Sequence, residues 1–198
     1  MNFTDLLSLF LPLFVAMDPL GVLPAFIQMT SELSKARRQK MLNLSILTAG
    51  IVGLLFIPLG PLVLGALGLK TGDFQVAGGL LVLVVGLRDV VWDQKMMAMS
   101  EASEATGIVP FAIPLLVGPA VFATLILLRD RFSVLEIGAC LVLNLFLAWI
   151  IFLKSDSLMQ WMGLTGTKVI SKLAALLLAA YAVMMIRVGL ASFKQLLP

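Results

Sequence analysis

The residue best able to do chemistry is Asp18, an acidic side chain inside a long apolar run. An ionisable residue within a membrane span is energetically costly, so it marks a functional position by default. Its carboxylate could bind a cation or take up and release a proton. A structural role is the alternative, because Asp18 and Pro19 also fit the N-cap and first residue of a helix. The two roles are compatible.

Asp18 leads into a short segment that recurs later in the chain. Residues 19–25 read PLGVLPA and residues 114–120 read PLLVGPA, with five of seven positions identical. Proline lacks a backbone donor and clashes with the preceding turn, so two prolines five residues apart should break or kink a helix. At about 1.5 Å per residue from Leu6, Asp18 lies roughly 18 Å deep, near the midplane of a bilayer. The prolines could also serve packing alone, but two copies at equivalent positions favour function.

A helix broken at mid-depth offers binding groups from its own backbone. The half that begins there presents N–H groups that suit a carboxylate, and the half that ends there presents carbonyls that suit a cation. Paired interrupted helices are the best sequence indication of a transporter binding site. We therefore predict a midplane site formed by Asp18, Pro19, Leu20, Gly21, Pro24, Pro114, Leu115, Gly118, Pro119 and Ala120, with Asp18 as the ion-coupling residue.

Three further polar residues lie in apolar segments and are possible pocket-lining residues. They are Ser45, Thr48 and Asn144. Such side chains also join membrane helices by hydrogen bonds, and we favour that packing role for them.

The elements that position these residues are membrane helices. The chain has 198 residues, of which 61% are hydrophobic and 13% charged. A protein of this size has no core that could bury several helices that are apolar on every side. At roughly 20 residues per crossing, six spans are predicted: Leu6–Met29, Met41–Leu67, Phe74–Val91, Ile108–Leu128, Leu135–Leu153 and Val169–Leu190.

The two similar segments lie in spans one and four, which cross the membrane in opposite directions. A weaker similarity joins spans three and six, where GGLL at 78–81 resembles AALL at 174–177. We therefore predict a single all-α polytopic membrane domain over residues 1–198. Its two three-helix repeats, approximately 1–95 and 105–198, have inverted topology, with spans one and four broken at the proline-rich segments.

Charge placement predicts the orientation. Nine of the 14 Lys and Arg residues fall on the side of the first, third and fifth loops. Because cytoplasmic loops are enriched in Lys and Arg, we expect both termini outside a plasma (inner) membrane. The small net charge of +3, without a basic stripe, indicates no nucleic-acid partner.

Enzyme chemistry is not expected. The chain contains no histidine, which excludes Ser-His and Cys-His pairs, and no cluster has the spacing of metal ligands. No phosphate-binding loop ending in Gly-Lys-Ser/Thr is present, so an ATP-driven motor is absent from this sequence. We expect no cofactor beyond Na⁺ or H⁺ as a coupling ion.

Three segments together resemble the MarC family of integral membrane proteins, which is placed near the lysine-exporter superfamily. They are MDPLGVLPAF at 17–26, FQVAGGLL at 74–81 and VPFAIPLLVGP at 109–119. Ala120 departs from the glycine that the family often has after Gly-Pro, and relatives have either Asp or Asn at the position of Asp18. The resemblance covers nearly the whole chain and implies transport of small neutral amino acids such as glycine and alanine, coupled to sodium or protons.

The leading expectation is therefore a secondary transporter of small neutral amino acids. An inorganic ion or metal exporter of the same fold and a non-transporting membrane scaffold remain alternatives. Membrane lipid is an expected partner. Small residues at Gly50, Gly53, Gly78 and Gly79 permit a homo-oligomer.

Overall fold

The computed structural model describes residues 3–91 and 116–194, and all regular secondary structure within these ranges is helical. The helices in chain order are α1 (Phe3–Met17), α2 (Pro19–Thr30), α3 (Lys35–Ala66), α4 (Thr71–Val91), α5 (Pro119–Leu128), α6 (Val134–Leu153) and α7 (Ser155–Lys194).

Four stretches are long and apolar enough to cross a bilayer. They are Thr4–Leu23, Lys35–Ala66, Val134–Leu153 and Lys172–Phe193. Two further apolar stretches, Thr71–Val84 and Pro119–Leu128, are shorter. The prediction of an all-helical, multi-pass membrane protein is confirmed. Spans three and four coincide with the shorter stretches, residues 108–115 of span four lie outside the described residues, and the six-span inverted repeat stays a prediction.

The longest uninterrupted helix, α3, shows how the apolar sequence divides between protein and lipid. From Leu42 onward its buried residues recur every three or four positions, and with Met41 they form one stripe: Met41, Leu42, Ser45, Ala49, Gly53, Ile57, Gly60 and Leu64. Leucines on other faces, such as Leu47 and Leu62, are 59% and 67% exposed. In a bilayer these exposed leucines contact acyl chains, so the stripe marks the side that packs on protein.

The most extensive helix pair is α4 against α7, and it depends on glycines spaced seven residues apart. A Cβ on Gly79 would lie 2.9 Å from the Ala182 carbonyl oxygen, and one on Gly86 would lie 3.1 Å from the Ala175 carbonyl oxygen. At Gly189 on α7, a Cβ would lie 2.8 Å from the Gly72 carbonyl oxygen. The two helices are therefore antiparallel and in close backbone contact over residues 72–86 of α4 and 175–189 of α7, as small residues allow in membrane proteins.

Helices α3 and α6 form a second antiparallel pair. The Trp149 Nε1–H donates to Asn43 Oδ1 at 2.9 Å near one end, and Leu141 packs against Gly53 further along. A capping box starts α6, because the Ser133 backbone N–H donates to Glu136 Oε2 at 2.9 Å and the Glu136 N–H donates back to Ser133 Oγ. This cap satisfies amides that the helix itself leaves unpaired.

A kink divides α7 at Gly163, whose φ of 65° and ψ of 175° lie outside the helical region. Only glycine adopts this conformation without strain. Trp161, two residues before the kink, is 84% exposed. The segment at 155–162 is therefore a separate short helix that leads into the last span, and Trp161 suits the membrane interface.

Candidate functional site

The first proline-rich segment is a break between two helices, centred on Asp18. Helix α1 ends at Met17 and α2 begins at Pro19, while Asp18 has a left-handed φ of 42°. Aspartate is among the few residues with a side chain that tolerate this region. The Asp18 N–H donates to the Phe14 carbonyl and the Asp18 carbonyl accepts from the Val22 N–H, both at 3.0 Å. The helix axis therefore changes direction at Asp18, while the backbone hydrogen bonds continue on either side of this residue.

The side chain of Asp18 caps the second half-helix. The Gly21 backbone N–H donates to Asp18 Oδ1 at 3.0 Å, which is the contact of an N-cap residue with the third helical position. A Cβ on Gly21 would lie within 2.7 Å of Asp18 Cγ, so the glycine leaves the space that the carboxylate fills. Pro19 has no N–H, and the carbonyl of Val15 consequently lacks its helical donor.

The second proline-rich segment also ends in a helix start, but without a side-chain cap. Helix α5 begins at Pro119 after the buried Gly118, which is extended at φ −98° and ψ −169° and accepts from the Phe122 N–H at 3.1 Å. No side chain hydrogen-bonds to this N-terminus within the described residues. Pro119 has no N–H, so the positive end of the helix lies at the amides of the partly buried Ala120 and the buried Val121. The predicted residues Pro114 and Leu115 lie outside the described residues.

Shared buried clusters link the two breaks. Met17, next to Asp18, is 1% exposed and belongs to the same apolar cluster as Leu116 and Val117, which are fully buried beside Gly118. Val15, which lies near the first break, and Ala120, which lies near the second, both pack on a smaller cluster of Val82, Leu178 and Ala182. The structure therefore brings both segments into the interior of one bundle, with α4 and α7 behind them. Leu20 is half-buried, and the side chain of Pro24 lies outside the described residues.

The predicted pocket residues fall in different environments. Ser45 is fully buried on α3. The Thr48 hydroxyl donates to the Leu44 carbonyl at 2.8 Å within its own helix. The buried Asn144 donates through Nδ2 to the Cys140 carbonyl at 3.0 Å, whereas its Oδ1 is buried without a hydrogen-bond partner among the described residues. Asn144 therefore retains an acceptor that a bound group could use.

Sequence reasoning missed one polar group near the second break. The Tyr181 hydroxyl on α7 is buried and approaches Thr124 on α5 without the geometry of a hydrogen bond. Thr124 itself donates to the Ala120 carbonyl at 2.8 Å. Tyr181 is the single tyrosine of the chain and lies in an apolar run. A lone hydroxyl in such a run is the sequence feature that could have identified it as a candidate. An unpaired buried hydroxyl costs free energy unless a ligand or water uses it.

A cavity of about 310 Å³ lies between α1 and α6. Leu9, the lining residue nearest to Asp18 on α1, is about 13 Å from Asp18 along the helix. Its lining is apolar apart from Glu136: Leu6, Leu9, Leu135, Glu136, Ala139, Cys140 and Leu143. This composition suits an acyl chain rather than a polar solute, so the cavity is separate from the candidate site.

Comparison with known proteins gives one family and several relatives. The sequence model described as "MarC family integral membrane protein" matches residues 3–193. A UPF0056 membrane protein of Buchnera aphidicola subsp. Acyrthosiphon pisum is 30% identical over 195 residues, covering 97% of this chain and 100% of the relative. The UPF0056 inner membrane protein YhgN of Escherichia coli strain K12 is 30% identical over 198 residues, covering 94% and 96%. No solved structure matches the chain.

Proposed function

The chain belongs to the MarC family of integral membrane proteins, and from this premise we propose that it is a secondary transporter of small neutral amino acids. The substrate is of the glycine or alanine type, and its movement is coupled to Na⁺ or H⁺. The proposal rests on one observation: a carboxylate caps the start of α2, whereas no described side chain caps the start of α5.

One helix start is negative and the other is positive. At α2 the Asp18 carboxylate covers the N-terminus, whereas no described side chain caps α5 after Gly118. A neutral amino acid is a zwitterion and matches this pair. Its carboxylate binds the free amides of α5, while its ammonium group, or a coupling cation, binds near Asp18 and the carbonyl that Pro19 leaves without a helical donor.

The α4–α7 contact supports the inverted repeat. The alignment of 78–81 with 174–177 pairs Gly79 with Ala175, and the same offset pairs Gly86 with Ala182. In the structure Gly79 packs on Ala182 and Gly86 packs on Ala175. Gly79 thus contacts the residue that corresponds to Gly86, and Gly86 contacts the residue that corresponds to Gly79. A two-fold axis between the halves produces this reciprocal pairing. Two halves related in this way can rock about a central site.

Orientation and location follow from the same premise. Arg38 and Lys154 lie at the end of the bundle where α3 begins and α6 ends. Cytoplasmic enrichment of Lys and Arg places this end inside the cell and both termini outside. A relative named as an inner membrane protein supports location in the plasma (inner) membrane.

Uptake into proteoliposomes tests the proposal. We expect labelled glycine or alanine to enter under an imposed Na⁺ or H⁺ gradient. Asp18→Asn retains an amide oxygen that can cap Gly21 but lacks the charge, so it should fold normally and lose the ion dependence. The matched control is Asp73→Asn, because the Asp73 carboxylate caps the start of α4 by accepting from the Lys70 N–H at 2.8 Å. Flux through Asp18→Asn with unchanged Na⁺ and pH dependence would refute the coupling role.

The same liposomes distinguish the alternatives. Movement of cations without glycine or alanine identifies an ion or metal exporter, for which the Asp18 carboxylate and the adjacent carbonyls are suitable ligands. Absence of flux for every solute identifies a scaffold, in which the breaks serve packing alone.

A further inference from the structure

We propose that Arg38 and Asp156 form the gate that closes one end of the transport path, and that α2 connects this gate to the site at Asp18. The inference rests on the proposed function and assigns the residues that control access to the site.

The gate is a cluster of two charged and three supporting residues. Arg38 Nη1 donates to both carboxylate oxygens of Asp156, at 2.8 and 2.9 Å, and Nη2 donates to the Ser155 hydroxyl. The guanidinium carbon lies 5.1 Å from the centre of the Phe26 ring, within the range of a cation–π contact. The Phe26 and Phe152 rings are 5.0 Å apart. We call these five residues the latch.

The latch joins the two halves of the chain. Phe26 and Arg38 come from α2 and α3 in the first half, whereas Phe152, Ser155 and Asp156 come from the end of α6 and the start of α7 in the second. Phe26 and Phe152 are 0% and 1% exposed, so the rings seal the interior beneath the ion pair. If the halves rock apart at this end, the ion pair must separate first.

The exposure of the pair suits a contact that opens repeatedly. The Arg38 side chain is 18% exposed, because it lies on the ring beneath it, and that of Asp156 is 63% exposed. The carboxylate therefore regains water as soon as it separates, which keeps the cost of opening low. A fully buried pair would leave an uncompensated charge and would resist opening.

Helix α2 has the site at one end and the latch at the other. It begins at the break, where Asp18 binds the Gly21 amide, and it contributes Phe26 to the latch. The eight residues from Asp18 to Phe26 span about 12 Å of helix. Because both contacts lie on this one short helix, a ligand that displaces the Asp18 end also shifts the aromatic ring under Arg38.

Cysteine accessibility tests the gate without any substrate. Ser45 lies two turns deeper than Arg38 on the buried stripe of α3, so Ser45→Cys in a Cys140→Ala background reports entry of a membrane-impermeant maleimide. We expect Arg38→Gln and Asp156→Asn each to speed labelling about fivefold, the population change expected from losing a partly exposed pair. The increase should occur only from the side on which a cysteine at the exposed Ser34 is labelled.

Two controls keep the result interpretable. Arg37→Gln removes the same charge next to the latch and should leave labelling unchanged. The charge exchange Arg38→Asp with Asp156→Arg should restore slow labelling, which a merely destabilised fold would not do. Unchanged labelling in both single variants, or faster labelling from the opposite side, overturns the gate.

A cross-link separates the gate from the proposed function. In the Cys140→Ala background, cysteines at both Arg38 and Asp156, joined by a reducible bis-methanethiosulfonate cross-linker that replaces the length of the Arg side chain, should stop glycine or alanine flux until the cross-link is reduced, because a direct disulfide is too short for this separation. Flux that continues through the cross-linked protein overturns the gate while upholding transport. A labelling response without flux of either amino acid upholds a gate and rejects the substrate.

Discussion

Replacing Gly21 by alanine tests whether the position of the Asp18 carboxylate determines ion coupling. The new Cβ would overlap the carboxylate, since it would lie within 2.7 Å of Cγ. The backbone of Gly21 does not have a positive φ, so alanine fits the helix itself. The substitution therefore has one main consequence, the rotation of the Asp18 side chain away from the Gly21 amide.

The expected change in stability is small because two effects oppose each other. Loss of the N-cap hydrogen bond costs about 0.5–2 kcal/mol. Alanine in place of glycine within α2 returns about 1 kcal/mol of helix propensity. The net destabilisation should be at most about 1 kcal/mol, or a fall of roughly 2–4 °C in the melting temperature for a chain of this size. A loss of ion dependence therefore cannot be attributed to unfolding.

The assay combines thermal unfolding in detergent with glycine and alanine flux at varied Na⁺ and pH. Gly65→Ala is the matched control, because a Cβ there meets nothing within 4 Å; it should raise stability by up to about 1 kcal/mol and leave flux unchanged. Adding Asp18→Gly to Gly21→Ala removes the overlap and relieves the left-handed φ, so stability should recover without ion coupling. If Gly21→Ala keeps wild-type ion dependence and gains as much stability as Gly65→Ala, the assigned position of the carboxylate is wrong.

Two further substitutions test the packing and the pocket. Gly79→Ala should destabilise the protein by about 1–3 kcal/mol in thermal unfolding. The reason is that its Cβ would lie 2.8 Å from Ile186 Cγ1 and 2.9 Å from the Ala182 carbonyl oxygen. A melting temperature equal to that of Gly65→Ala would show that α4 and α7 do not pack so closely. Asn144→Leu removes a buried acceptor without a described partner, so stability should stay the same or rise while amino acid flux falls, and unimpaired flux would exclude Asn144 from the pocket.

The first break could be predicted from local chemistry, whereas the position of the second could not. Asp18 before Pro19 combines an N-cap with a residue suited to the first helical turn, and the structure starts α2 there. At the equivalent place in the second segment the residue is Ile113, which cannot cap. Glycine instead precedes the second proline, and α5 starts at Pro119, the counterpart of Pro24. Within the described residues, the repeat thus preserves the prolines, but α5 starts at the counterpart of the second one rather than the first.

Long-range contacts were beyond sequence reasoning for a different reason. Arg38 is one of four cations in the first loop, and its partner Asp156 lies 118 residues away, so no local pattern singles out the pair. The seven-residue spacing of Gly72, Gly79 and Gly86 is visible in the sequence. It indicates a close helix contact, but only the fold identifies α7 as the partner. Composition predicted the membrane helices, and tertiary packing determined which of their faces meet.

The displacement of the second helix start gives the two breaks different chemistry. Had both segments started a helix after an aspartate, two carboxylates would face one interior, and a zwitterion would meet negative charge at both ends. Because Gly118 supplies no side chain, no described side chain occupies the amides of α5, while the Asp18 carboxylate covers the start of α2. An inverted repeat with identical halves would bind a symmetric ligand. We therefore infer that the departure from symmetry orients a zwitterion, with its ammonium group toward α2, the helix that leads to the latch.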